Sequence, residues 1–428
     1  MQGIENDKRT GLNIKSNISR IKNNQDGKVL ASNMVYLTML QIASYLFPLI
    51  TMPYMARVIG TEGFGKIAFA SAIITWIQTI ADWGFNYTAT REVAKNRDNP
   101  EMVSTIFSKV LWARCLLALF SLFVLIILVV TIPKFKENAL IIFFTYLLIP
   151  GHILYPDWFF QAIEKMKYIT ILGVLFRLIF TLSVFLFIKE ASDYIYQPLL
   201  VSFGYLCSGL VSLYFILIKW KVQLKAVPLR DIWHAIKSST NIFINNLMPN
   251  LYNSFSVILL GMFCTPAHTG LFDAGKKFVI LSNTGMSVIS RTFFPFLSRK
   301  IDKHKWYSIF SLSIAASITM LLIVFAPWLI RIFFGADFMD STNVLRIASL
   351  AIFFVAVNEV YGTNYLIVNR HDRTMRNITL CSSLFGFIIS FPLIYYFQHI
   401  GAALVYTLSS FVLALLSYIY YRKLRKHL

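Results

Sequence analysis

Gly401-Ala-Ala-Leu-Val-Tyr-Thr-Leu-Ser-Ser-Phe-Val-Leu-Ala-Leu-Leu-Ser-Tyr-Ile-Tyr-Tyr421 runs for 21 residues without a charge and is followed by Arg422, Lys423 and Arg425. A helix rises 1.5 Å per residue, so about 20 apolar residues cross a bilayer core of ~30 Å. The same uncharged run recurs at Val29–Ala56, Tyr194–Ile218, Ser238–Phe272, Trp306–Ile330 and Asn377–Gln398. Over the 428 residues, 57% are hydrophobic and only 14% charged, whereas soluble domains carry roughly 45–50% and 25%. No water-soluble fold hides that much apolar surface. The chain is an all-α polytopic membrane protein.

Hydropathy, with Pro, Gly and charge as punctuation, predicts twelve transmembrane helices near 33–56, 64–90, 109–132, 139–162, 168–188, 198–218, 240–263, 271–298, 306–334, 342–368, 377–398 and 401–421. Cytoplasmic loops retain Lys and Arg. With the N-terminus inside, the inner segments hold 28 Lys and Arg and the outer loops only Arg57, Lys134, Lys136 and Lys189. That imbalance predicts an N-in/C-in topology. It also accounts for the net charge of +20 without a nucleic-acid partner. The N-terminal 32 residues, polar and lacking an apolar signal segment, read as a disordered cytoplasmic tail.

The longest internal connection, 219–239, divides the chain into six-helix bundles at 33–218 and 240–421, with a basic cytoplasmic tail at 422–428. Each half opens with a Pro-containing span and turns through a short Gly-containing outer loop, and Gly65 and Gly270 are 205 residues apart. A parallel repeat of two pseudo-symmetric bundles follows.

Enzyme and metal classes find no support in the residues. Cys115, Cys207, Cys264 and Cys381 are widely separated, the His residues form no metal-binding pair, and neither a phosphate-binding loop nor a nucleophile elbow occurs. Polar residues inside the spans are more informative. Ser71, Thr75, Gln78, Asp82 and Asn86 recur at helical spacing, as do Asp273, Lys277, Thr284, Ser287 and Arg291, with Ile280 filling the gap. Asn246, Asn250 and Asn253 form a third stripe, and Thr38, Gln41 and Tyr45 a fourth.

Such stripes cannot face hydrocarbon, where every unpaired polar group is expensive. They face other helices or a water-filled path. Asp82 and Arg291 stand about 12 and 11 Å from the inner ends of their helices, and under the 205-residue offset they fall about one turn apart in corresponding spans. They are expected to form the functional charge pair of a central cleft. Arg177 and Glu359, each near the middle of a span, are further candidates. Asp157, Arg114, Arg346 and Lys276 lie within snorkelling reach of an interface. Arg and Lys hold phosphate oxygens, and Asn, Gln, Ser and Tyr hydrogen-bond sugar hydroxyls. The substrate-binding set expected for a phosphorylated glycan is therefore Arg291, Lys277, Arg177, Asn246, Asn250, Asn253, Gln78 and Asn86, with Asp82 and Glu359 as cleft charges or ion-coupling sites.

Several short stretches carry a resemblance. Pro53-Tyr-Met-Ala-Arg-Val-Ile-Gly60 with Glu62-Gly-Phe-Gly65, Asp82-Trp-Gly-Phe-Asn86 with Ala89-Thr-Arg-Glu92, and Asp157-Trp-Phe-Phe-Gln-Ala-Ile-Glu164 with Lys165-Met-Lys167 make up its first part. Thr269-Gly-Leu-Phe-Asp-Ala-Gly-Lys276, Phe294-Pro-Phe-Leu-Ser-Arg299 and Gly335 after Pro327 extend it. Together they resemble the polysaccharide transporter branch of the multidrug/oligosaccharidyl-lipid/polysaccharide exporter superfamily, and within it the Wzx-type O-antigen flippases.

The resemblance implies a V-shaped, MATE-like pair of bundles around a cleft lined by spans one, two, seven and eight. It implies a multi-pass protein of the bacterial inner membrane that carries undecaprenyl-diphosphate-linked glycan among membrane lipids. A polysaccharide polymerase and a chain-length regulator are the implied partners. Asp273 departs from the family pattern, so no acidic role is carried onto it. No cofactor is expected. With no ATP site, uphill turnover has to draw on a proton or sodium gradient, with Asp82 as the expected coupling acid, or else transport runs downhill as polymerisation consumes the unit. The alternative on the same fold is a cation-coupled multidrug exporter of the MATE type, which favours acidic over cationic cleft residues. A membrane-embedded polymerase or ligase needs a large outer loop, and every predicted outer loop is short.

Overall fold

The computed structural model describes residues 25–425, which form helices and short turns, with no strand among them. Most of the N-terminal tail and the last three residues lie outside that range. The first half of the chain contains α1 (Gln25–Asp82), α2 (Phe85–Lys95), α3 (Pro100–Thr131), α4 (Pro133–Glu137), α5 (Ala139–Tyr146), α6 (Leu148–Leu154), α7 (Asp157–Ala162), α8 (Met166–Phe187) and α9 (Tyr196–Tyr214). The second half contains α10 (Leu229–Leu247), α11 (Ser254–Phe263), α12 (Pro266–Leu297), α13 (His304–Phe333), α14 (Ser341–Asn358) and α15 (Asp372–Arg425).

Among the described residues, eight helical stretches are long and apolar enough to cross a membrane. Two of them, Ser32–Lys95 and Asp372–Arg425, are 64 and 54 residues long, whereas one crossing needs about 20. Both are interrupted. Gly60 has φ 63° and ψ −173° inside α1, a conformation open essentially to Gly alone. Gln398 has φ 50° and ψ −126° inside α15. The helix α12 is not among the eight; it carries Asp273, Lys276, Lys277 and Arg291, and its polarity marks it as an interior element.

Local sequence explains the remaining breaks. Trp83 and Gly84, with φ 41° and 80°, end α1 and restart the chain as α2. Pro249 sits in the 3₁₀ turn Met248–Leu251 between α10 and α11, where its missing N–H cannot continue an α-helix. The segment Glu359–Ile367 after α14 is a π-helix, a rare geometry that recurs at functional positions.

The two halves meet at both ends of the helices. At one end Gly65 and Gly270 touch through their backbones: a Cβ on Gly65 would overlap the Pro266 carbonyl and lie 2.9 Å from the Gly270 nitrogen. There Phe64 packs edge-on against Phe334 and Phe338 at 5.8 and 5.7 Å, and Arg57 Nη2 donates to the Ile332 carbonyl at 2.9 Å. At the opposite end Trp83 stacks on Phe243 at 3.9 Å and donates to the Ile236 carbonyl at 3.0 Å. Thr88 and Ser239 share a hydrogen bond of 2.8 Å beside them.

Candidate functional site

Between these two contacts the halves leave a cavity of about 590 Å³. The helix α12 supplies its longest wall. Asp273, Lys277, Ile280, Thr284, Ser287 and Arg291 all line it, because α12 is unbroken across them and keeps the 3.6-residue phase. Ser71 and Thr75 face it from α1, and Asn253 from the residue before α11.

Lys277 pairs with Asp273 at 2.9 Å. Lys276, the preceding residue, also lines the cavity and is 7% exposed, with Nζ 3.2 Å from Asn253 Oδ1 and 4.6 Å from the centre of the Tyr406 ring. It does not snorkel, as its position near a helix end had suggested. Its neighbours are an amide oxygen and aromatic faces, which stabilise an ammonium without neutralising it. Among the described residues, neither Lys276 nor Arg291 has a carboxylate within 4.0 Å. One acid faces three cations.

Behind Ser287 sits Glu359. Ser287 and Ser290 of α12 donate to its two carboxylate oxygens at 3.2 and 2.5 Å. Asn364, fully buried, donates to Ser290 Oγ at 2.7 Å and to Tyr307 Oη at 2.9 Å. No cation among the described residues lies within salt-bridge distance of Glu359. This acid is held by hydroxyls alone.

Asp82 differs from expectation. It does not line the cavity and does not meet Arg291. Its carboxylate is bonded to Arg114 of α3, 1% exposed, and lies 3.3 Å from His152 Nε2. Arg114 is thus buried as well, where snorkelling had been expected. The stripe containing Asp82 and Asn86 is cut at Trp83–Gly84, and the restarted helix carries Asn86 out of phase with Ser71 and Thr75. Asn86 leaves its amide oxygen buried with no partner among the described residues, and Gln78 also lies outside the cavity lining.

The Asn stripe is cut in the same way by the turn at Pro249. Asn253 reaches the cavity, Asn250 donates to Thr79 Oγ1 across the halves at 3.0 Å, and Asn246 is exposed on α10. Arg177 lies in a different cavity, inside the first half. Of the fourth stripe, Gln41 donates to Tyr45 Oη at 2.7 Å on an exposed face of α1. Lys276 and Asn283, both cavity-lining, were missed because they lie off the polar stripe of α12.

Comparison with known proteins gives a consistent picture. A family described as polysaccharide biosynthesis protein matches residues 30–301. A protein of Escherichia coli (strain K12) named "Putative O-antigen transporter" is 26% identical over 383 residues, 88% of this chain and 92% of that protein. One of the same name from Shigella dysenteriae is 25% identical over 86% of this chain and 94% of its own length. Among solved structures, lipid II flippase MurJ in an inward closed conformation superposes with a TM-score of 0.73 over 92% of this chain and 87% of that one, at 12% identity. MATE in the bent conformation gives 0.58 over 95% and 97%, also at 12%. At that identity the two structures share the fold. The sequence relatives are transporters, not enzymes.

Proposed function

Because the chain belongs to the polysaccharide biosynthesis protein family, we propose that it is a flippase that moves undecaprenyl-diphosphate-linked oligosaccharide repeat units across the bacterial inner membrane by alternating access. In this reading twelve spans in two bundles run N-in/C-in, and the Trp83–Phe243 end faces the cytoplasm. A polysaccharide polymerase and a chain-length regulator act alongside it.

The observation that supports the reading most directly is the charge balance of the cavity. Lys277 is compensated by Asp273, which leaves Lys276 and Arg291 to meet an anion. Two uncompensated cations suit a diphosphate, with Arg as a bidentate fork and Lys as a point charge. Asn253, Asn283, Ser71, Thr75 and Thr284 offer the neutral donors and acceptors that sugars require. A cationic drug would meet repulsion here, which disfavours the multidrug alternative.

Coupling is the second part of the proposal. Asp82 already has Arg114 and His152 as partners, whereas Glu359 is bonded only to hydroxyls of the helix that carries Lys277 and Arg291. Gain or loss of a proton at Glu359 therefore acts directly on the cavity wall. A sodium ion on the same oxygens is the other form of the coupling.

The test is complementation. Expressed in flippase-null hosts making different repeat units, the protein is expected to restore surface polysaccharide in at least one. Rescue of none, with export of a cationic dye, replaces the flippase with the multidrug exporter.

A further inference from the structure

The first half of the chain encloses a second cavity, of about 320 Å³, that shares no lining residue with the central one. It lies between α1, α6, α8 and α9. Leu40, Phe47, Phe176, Phe180 and Val201 give it apolar walls, and exposed Pro48 stands at its rim. One end is charged, lined by Arg177, His152 and Asp157.

Arg177 is the informative group. It is the twelfth residue of the 22-residue helix α8, near the middle of a membrane-spanning segment. A guanidinium offers five donors. Its one protein acceptor among the described residues is the Gly173 carbonyl, 2.9 Å from Nη1. No described carboxylate lies within 4.0 Å. A half-buried cation at membrane depth is expensive unless something pairs with it.

Its neighbours do not pair with it. His152 directs Nε2 at Asp82, 3.3 Å away, and its Nδ1 is buried with no partner among the described residues. The Asp157 carboxylate accepts from the Trp158 amide at 2.8 Å. Gly173 preserves room for the guanidinium, since a Cβ there would come within 2.8 Å of Arg177 Nη1. On the facing helix a Cβ at Gly204 would meet nothing nearer than the Phe176 carbonyl at 3.9 Å. The room at Gly173 is taken by Leu40 and the guanidinium, and that at Gly204 is open.

We propose that this cavity is a second binding site, for a phosphate carried on a single apolar tail. The phosphate lies on Arg177, and the tail follows the Phe47, Phe176 and Phe180 wall and leaves for the bilayer past Pro48. The volume of about 320 Å³ accommodates one phosphate and the first units of an apolar chain. The occupant is an isoprenoid phosphate. The single isoprenoid tail rests on the flippase reading; the phosphate and the apolar wall rest on the cavity.

The experiment measures binding to the purified full-length protein, without transport. Geranylgeranyl phosphate carries head and tail, geranylgeraniol only the tail, inorganic phosphate only the head, and phosphatidylglycerol a phosphate on two tails. Geranylgeranyl phosphate is expected to bind at least about tenfold more tightly than the other three, the scale of a charge-assisted hydrogen bond. Gly204→Leu fills the cavity with a good helix former, and Arg177→Gln removes the cation. Each should weaken binding at least about tenfold, also in an Arg291→Ala background, where the central cavity's own hold on a phosphate is reduced.

Undiminished binding by a folded Gly204→Leu protein overturns the site. Loss of binding in Arg291→Ala but not in Gly204→Leu moves the lipid to the central cavity and overturns it too. Preference for phosphatidylglycerol refutes the isoprenoid and assigns the pocket to a membrane phospholipid. Failure of the complementation experiment would sink the flippase reading and leave each of these results standing.

Discussion

Asp82 and Arg114 are 32 residues apart in sequence and form an ion pair inside the first half, with Arg114 1% exposed. Removing one partner of a buried pair strands the other charge, at about 3–5 kcal/mol, whereas replacing both with apolar groups is often neutral. Arg114→Leu is therefore expected to lower the thermal unfolding midpoint sharply, and Asp82→Leu/Arg114→Met to recover most of it. If Arg114→Leu unfolds no sooner than the parent, the pair does not hold the bundle. At Arg291 the expectation concerns transport. Arg291→Lys keeps a point charge and part of the export, and Arg291→Ala loses most of it at equal protein level, read as surface polysaccharide length. Glu359→Gln keeps the shape of its Ser287 and Ser290 contacts but cannot ionise. Flipping in vesicles by this variant should no longer respond to an imposed proton gradient, and an unchanged response would remove Glu359 from coupling.

Helices carry sequence periodicity only as far as they stay helical, and α12 does so from Pro266 to Leu297. That is why its stripe, from Asp273 to Arg291, was legible in the sequence and is intact in the cavity. The stripes ending in Asn86 and beginning at Asn246 were not: Trp83–Gly84 and Pro249 reset the phase of Asn86 and of the Asn residues, while Asp82, before the break, is drawn away by Arg114 and His152. Spacing also gives depth along a helix but not which neighbour stands opposite. Arg114 looked able to snorkel, yet α1 brings Asp82 against it. The mainly helical fold and the basic loops were plain from composition, because burial in hydrocarbon leaves few alternatives. The break at Gly60 supplies a test at this scale. A Cβ there meets nothing within 4 Å, so Gly60→Ala adds backbone strain alone, about 1–3 kcal/mol. Its melting temperature should fall measurably, and equal stability would mean that the chain turns elsewhere.

Taken as one body, the two halves meet at both ends of the central cavity by different means. One end is a latch of side chains, Trp83 on Phe243 and Thr88 with Ser239. A cysteine pair at 88 and 239, in a background lacking the four native cysteines, is expected to cross-link on oxidation and stop export until reduced. Export at full rate by the cross-linked form would rule out separation of that end during transport. Reporter fusions at Ala267 and Leu428 test the orientation: alkaline phosphatase active at Leu428, or silent at Ala267, inverts the topology. The other end joins Gly65 on Gly270, backbone against backbone, to Phe64 on Phe334 and Phe338 and to Arg57 on the Ile332 carbonyl. Dispersion between packed atoms fades within about 1 Å of separation, and the glycine contact has no long side chain to stretch or follow. It is made or it is absent. Where the glycines meet, the seam therefore behaves as a snap fastener that resists small displacements and yields at once beyond them, while the Arg57 and Phe64 side chains beside it can follow a short separation.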